Sequence, residues 1–232
     1  MGMYKTTLRV ALGLSIALLG TAAYAKTLTG SYVSYTFDEF ALGKFGTANL
    51  SVSGDSLVFS PNAFLAATSG TGFAFETIHV SVSANAGYQL TAFGLSETGG
   101  YSVSGDGAVD VTGQFGALDV EGTTGNYLSA TIEASPGSFT APSGNWAAQA
   151  AITLPATGWG GADGSVGSVS LEISNQLFAF AGSGSASIYK DFIGISAFTT
   201  AVSPVPEAQT YAMMLIGLGL VGFMVRRARA SV

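Results

Sequence analysis

Cysteine occurs nowhere in this chain, and that absence removes several chemistries together. There are no disulfide staples, so an extracytoplasmic domain of this sequence must be held by its own core. A thiolate zinc site, c-type haem attachment, lipobox acylation and a cysteine nucleophile are excluded as well. Arginine is missing from the long central stretch, Lys26 to Ser203, where Lys26, Lys44 and Lys190 are the only cations. Against these three stand thirteen acids: Asp38, Glu39, Asp55, Glu76, Glu97, Asp106, Asp110, Asp119, Glu121, Glu133, Asp163, Glu172 and Asp191, a formal charge of −10. So negative a surface repels phosphate backbones, and nucleic acid is set aside as a partner. The acids are dispersed, the pattern of a solubility device. Histidine is equally scarce: His79 is alone.

With a single His and no Cys, a histidine-rich zinc site has no ligands, and no metal site is assigned. His79 falls with Thr77, Ser81 and Ser83 on the polar face of an alternating run. A Ser-His-Asp arrangement lacks its Gly-x-Ser-x-Gly elbow anywhere in the chain. Paired carboxylates for glycoside hydrolysis meet in space rather than in sequence, yet every acid here sits in a turn or alternating strand that explains it. The expectation is a protein without catalytic residues and without a cofactor; a polysaccharide hydrolase is the alternative from another class. Calcium is the better ionic alternative, because Gly160-Gly161-Ala162-Asp163-Gly164 and Asp106-Gly107-Ala108-Val109-Asp110 set acids beside flexible backbone carbonyls.

What is abundant is Gly, Ser and Thr punctuating short runs of Val, Ile, Phe and Tyr, the signature of strands and turns. Val169, Leu171 and Ile173 alternate with serines and Glu172; Trp146, Ala148, Ala150, Ile152 and Leu154 alternate with Ala147, Gln149, Ala151 and Thr153; Val109 and Val111 flank Asp110. One face of each is buried and one wet, as in antiparallel sheets. Val52-Ser53-Gly54-Asp55 and Val103-Ser104-Gly105-Asp106 share a turn pattern that predicts two hairpins, glycine supplying the positive φ. The apolar parity slips between Phe73, Phe75 and Ile78, Val80, which predicts a bulge near Glu76 and Thr77. Ten to thirteen short strands are expected. The fold class is all-β: one antiparallel β-sandwich or jelly-roll-like domain over residues 26–203. Trp159, between Gly158 and Gly160, is placed as an exposed loop aromatic able to stack on a sugar ring.

The two ends read differently. Lys5 and Arg9 precede an apolar Val10–Leu19 run, and Ala23-Tyr24-Ala25 is a small-x-small site. Residues 1–25 are therefore expected to be a signal peptide, cut after Ala25 by signal peptidase. At the other end, Pro204-Val205-Pro206-Glu207-Ala208-Gln209-Thr210 is a polar joint, Tyr211 to Val225 is uncharged and apolar, and Arg226, Arg227 and Arg229 follow. Fifteen residues of helix rise about 22 Å, short of a ~30 Å hydrocarbon core until flanking residues and snorkelling arginines are added. The expected layout is a linker at 204–210, a transmembrane helix at 211–225 and a basic cytoplasmic tail at 226–232. Gly217-Leu218-Gly219-Leu220-Val221-Gly222 spells a dinucleotide fingerprint, but no acid follows it. Small residues that let membrane helices pack explain these glycines better.

Pro206-Glu207, the spacer, the Gly- and Leu-rich segment and Arg226-Arg227 together resemble the PEP-CTERM sorting signal of Gram-negative bacteria. Pro206 and Glu207 match the first two motif residues, and Ala208 stands at the second proline. The resemblance implies an exosortase, a membrane-embedded cysteine protease, as a partner. It also implies that the chain is exported across the inner membrane and anchored in its lipid before processing. Service in the cell envelope, or in a biofilm with exopolysaccharide, would follow. A carbohydrate- or calcium-binding adhesion module on the same scaffold is the alternative.

Overall fold

A computed structural model describes residues 25–51, 55–122, 125–202 and 212–221. Two antiparallel sheets make up the body. The first runs, edge to edge, β1 (Ala25–Thr29), β2 (Val33–Asp38), β6 (Thr71–Ala84), β12 (Ser168–Phe180), β8 (Ala108–Asp119) and β9 (Tyr127–Thr131). The second runs β10 (Glu133–Ser135), β11 (Ser143–Thr153), β7 (Tyr88–Gly105), β13 (Gly184–Ala201), β4 (Ser56–Ser60) and β3 (Thr47–Leu50), with β5 (Leu65–Thr68) added against β13. Among the described residues the strand total matches the expected range, but the central strands are long rather than short: β7 and β13 have 18 residues each and β6 has 14.

The alternation read from the sequence is the alternation of burial. Val169, Leu171 and Ile173 are fully buried, and Trp146, Ala148, Ala150, Ile152 and Leu154 all face inward from β11 and its end. These side chains, with Phe45, Phe59, Phe64, Phe93 and Phe115, fill the space between the sheets. Each Val, Leu, Ile or Phe among them contributes roughly 1.5–3 kcal/mol before entropy is charged against it. Glycine in the strands has a packing reason. A β-carbon at Gly99 would lie 2.7 Å from the Trp146 ring, and one at Gly116 would collide with the Tyr127 ring. Cross-strand aromatics thus lie flat over bare backbone, recovering contact area that glycine does not supply.

Two local expectations are corrected. No bulge interrupts β6: its register against β12 is continuous from Thr71↔Phe180 to Ser83↔Ser168. Parity does not slip, because Ala74, Ile78, Val80 and Val82 all face inward while Phe73 and Phe75 stay outside. The irregularities lie instead in β13, between Lys190 and Phe192 and between Phe198 and Thr199. The two Val-Ser-Gly-Asp turns also differ. The first joins β3 to β4, which pair as a hairpin; its residues 52–54 lie outside the described residues. The second is a corner. Gly105 takes φ +66°, as expected, but β7 leaves the second sheet there and β8 enters the first. Gly105 pairs with Gly184 of β13, and Asp106 accepts a hydrogen bond from the Ser183 amide. Turn chemistry requires the positive φ; it does not decide whether the flanking strands meet or part.

Candidate functional site

Trp159 is the first sequence candidate to change its role. It is 7% exposed and belongs to the core, so it is not the exposed loop aromatic expected from its glycine neighbours. The carboxylate of Asp119, at the end of β8, pins the loop that carries Trp159. Its Oδ1 accepts from the amides of Glu121 and Gly122 at 3.0 Å each, and its Oδ2 accepts from the Gly160 amide at 3.1 Å. Gly160 follows Trp159 directly, so this bond fixes the backbone that carries the ring. Desolvation pushes the Asp119 pKa up, but the amides of Gly122, Glu121 and Gly160 together outweigh it and hold the carboxyl below its ordinary value.

The acids weighed for calcium each accept a backbone hydrogen bond. Asp163 accepts from the Ser165 amide and hydroxyl, which hold its pKa below the ordinary value. Asp106 accepts from Ser183, and Asp110 from the Val111 amide. Among the described residues no group of three or more His, Asp or Glu side chains comes together to hold a metal ion. His79 stands on the outer face of β6, its Nδ1 3.9 Å from the Glu172 carboxylate on the neighbouring strand.

The outer face of the first sheet carries what the sequence reading assigned to a bulge. Phe73 and Phe75 on β6 and Phe178 and Phe180 on β12 are 59%, 43%, 40% and 43% exposed. Phe73 lies directly opposite Phe178 in the ladder. The Phe73 and Phe75 rings are parallel, 6° apart in plane, with centroids 6.4 Å apart. Polar groups border them: Gln176 lies opposite Phe75 on β12, and Asp110 lies opposite Phe178 on β8. Four exposed phenylalanines at register positions on adjacent strands form an apolar patch with a polar rim, a composition that marks binding surfaces. The signal was legible: extending the inward parity of Ile78, Val80 and Val82 back along β6 places both phenylalanines outside. On the second sheet, a groove of about 790 Å³ is lined by Ala92, Gly94, Ala151, Thr153, Glu133 and Phe198.

Between the sheets lies a polar group that sequence reasoning missed. Glu97 (β7), counted above among the dispersed acids, is buried, and so are Lys190 (β13) and Asn175 (β12). Lys190 Nζ donates to Glu97 Oε2 at 2.5 Å and to Asn175 Oδ1 at 2.7 Å, and Asn175 Nδ2 donates to Glu97 Oε1 at 2.6 Å. The ammonium sits 5.1 Å from the centre of the Phe64 ring and 5.5 Å from that of Trp146. The bulge at Asp191 explains the placement. It reverses the parity of β13, so Ala186, Ile188 and Lys190 face inward before it and Ile193 and Ile195 after it. Burial lowers the Lys190 pKa from the ordinary lysine value, and the Glu97 carboxylate opposes that shift.

At the amino end, Ala25 opens β1 and pairs with Asp38, whereas Ala23 lies outside the described residues. Pro206, Glu207, Arg226, Arg227 and Arg229 lie outside them too. Residues 212–221 form a helix whose apolar side chains are exposed, Met213 at 69% and Leu215 at 68% among them. Its ten residues rise about 15 Å, and among the described residues no helix is long and apolar enough to cross a membrane. The transmembrane helix expected at 211–225 is to that extent unsupported.

Residues 204–229 match the model of the PEP-CTERM protein-sorting motif. No curated protein matches the chain. Among solved structures, TmCBM61 in complex with β-1,4-galactotriose is 12% identical, with a TM-score of 0.21, over 71% of this chain and 94% of that one. The enzymatically active domain of the bacteriophage CBA120 tailspike protein 4 is 14% identical, with a TM-score of 0.17, over 76% of this chain and 20% of that one. A chain of Broad Bean Stain Virus is 11% identical, with a TM-score of 0.17, over 87% of this chain and 97% of that one.

Proposed function

We propose that the chain, which carries this sorting motif at residues 204–229, is a non-enzymatic, exported envelope or matrix protein. A signal peptide at residues 1–25 carries it across the inner membrane. The apolar segment around residues 212–221 holds it there, and an exosortase processes it near Pro206-Glu207. The observation that carries this reading is the family match over residues 204–229. The exposed apolar helix agrees with it, because a row of methionines and leucines at that exposure is stable only against lipid or another protein. The test is expression of the full chain in an exosortase-bearing Gram-negative host. The unaltered chain should pass from a membrane fraction to a shorter released form, and Glu207→Ala should stay longer in the membrane. Identical processing of both would refute the sorting role of Glu207.

A second reading assigns the body polysaccharide binding on the outer face of β6 and β12. It rests on the four exposed phenylalanines and their polar border: aromatic rings offer apolar area to the C–H faces of sugars, while Gln176 and Asp110 offer hydrogen bonds to hydroxyls. Retention of the mature protein on exopolysaccharide, lost in Phe73→Ala with Phe178→Ala at unchanged melting temperature, supports it. Equal retention of the double variant refutes it.

A further inference from the structure

We propose that Lys190 and Asn175 are joined by an intramolecular isopeptide bond, formed within the folded core with Glu97 as the catalytic residue. The three side chains are already arranged as reactants. The Lys190 nitrogen lies 2.7 Å from Asn175 Oδ1; with a C=O bond of ~1.23 Å, the Cγ carbon is within about 4 Å of it. That approaches the near-attack separation of ~3–3.5 Å at which holding two groups replaces a bimolecular encounter. One carboxylate touches both partners: Glu97 Oε2 faces the nucleophile, Lys190 Nζ, and Oε1 faces the leaving nitrogen, Asn175 Nδ2.

The chemistry balances without any co-reactant. Glu97 takes a proton from the Lys190 ammonium and frees the nitrogen lone pair. The amine attacks Asn175 Cγ, forming the new C–N bond and a tetrahedral centre whose oxygen carries the negative charge. The attacking nitrogen, now with an extra proton, passes it by way of Glu97 to the former amide nitrogen. The C=O bond re-forms, the C–Nδ2 bond breaks, and ammonia leaves. What remains is a Lys190–Asn175 secondary amide, and Glu97 returns its first proton to the ammonia. Three features of the site favour these steps. The site is fully buried, so water does not compete. Burial favours the neutral amine, the reactive form. The rings of Phe64 and Trp146 keep the local dielectric low, which strengthens the effect of the carboxylate.

Placement gives the bond a task. Asn175 lies on a central strand of the first sheet and Lys190 on a central strand of the second. An amide between them would tie the two sheets covalently in a chain that has no cysteine. β13 is also the strand that leads into the carboxyl-terminal sorting segment, so load applied there would reach both sheets through covalent bonds.

The test is peptide mapping and denaturing mass spectrometry of the mature protein from full-length expression. The expected mass is that of the mature sequence less one ammonia. Trypsin should leave the Lys190–Asp191 bond uncut, and fragmentation should show Lys190 attached to Asn175. In Glu97→Gln the full mass and the tryptic cut should return. A wild-type protein at full sequence mass, with Lys190 cleavable, overturns the proposal without reference to any variant's folding. Ammonia loss traced to a succinimide at Asn175, with Lys190 free, overturns it as well. Linkage that persists undiminished in Glu97→Gln overturns the role of Glu97.

Discussion

Replacing Trp159 with alanine separates a packed residue from a binding residue, and the structure predicts which it is. A tryptophan side chain carries roughly 150–250 Å² of surface, and at about 25 cal/mol per Å² its burial corresponds to some 4–6 kcal/mol. That figure is an upper bound, because unfolded chains already cover part of the ring. Measured Trp→Ala costs of about 3–5 kcal/mol fall in the same range. Trp159 keeps only 7% of its exposure and sits on backbone fixed by Asp119, so most of that cost applies. For a domain of this size each kcal/mol shifts the melting temperature by about 2–4 °C, giving an expected drop of roughly 6–20 °C. Calorimetry or urea unfolding monitored by near-ultraviolet circular dichroism reads it directly. An unchanged melting temperature together with lost polysaccharide retention would refute the packing argument and return Trp159 to the surface.

Four further outcomes follow from the same geometry. Phe73→Ala, at an exposed position, should change stability by no more than about 0.5 kcal/mol, measured by urea unfolding; a loss of several kcal/mol would show that the patch is covered. Leu171→Ala, fully buried, should cost about 2–5 kcal/mol in the same assay. Asp119 has a folded-state pKa below its unfolded value, so its contribution is complete above the unfolded pKa of about 4 and disappears as pH falls through the lower folded value. Stability measured from pH 6 down to pH 2 should therefore fall less steeply in Asp119→Asn; parallel curves would deny the three-amide anchor. Amino-terminal sequencing of the mature protein should begin at Lys26, the second residue of β1; an intact Met1 would refute signal cleavage.

Much of this protein was legible as text because its physics is local. Period-two alternation in Val169–Ile173 and Trp146–Leu154 depends only on the pleat, so fold class and inward faces could be read directly. The carboxyl-terminal motif is a string recognised as a string, and the family match over residues 204–229 confirmed it. What the tertiary structure decided was every property that depends on a partner strand. Phe73 and Phe75 became a surface patch because β6 runs unbroken beside β12. The second Val-Ser-Gly-Asp turn became a corner because β8 pairs with β12 and not with β7. Trp159 packs into the core on a loop that the Asp119 carboxylate, distant in sequence, pins through the amide of Gly160. Glu97, Asn175 and Lys190 met because three strands, one of them shifted by a bulge, aim at one point between the sheets. Composition counts charges and parity sorts faces, but only register and layer stacking bring distant side chains within bonding distance.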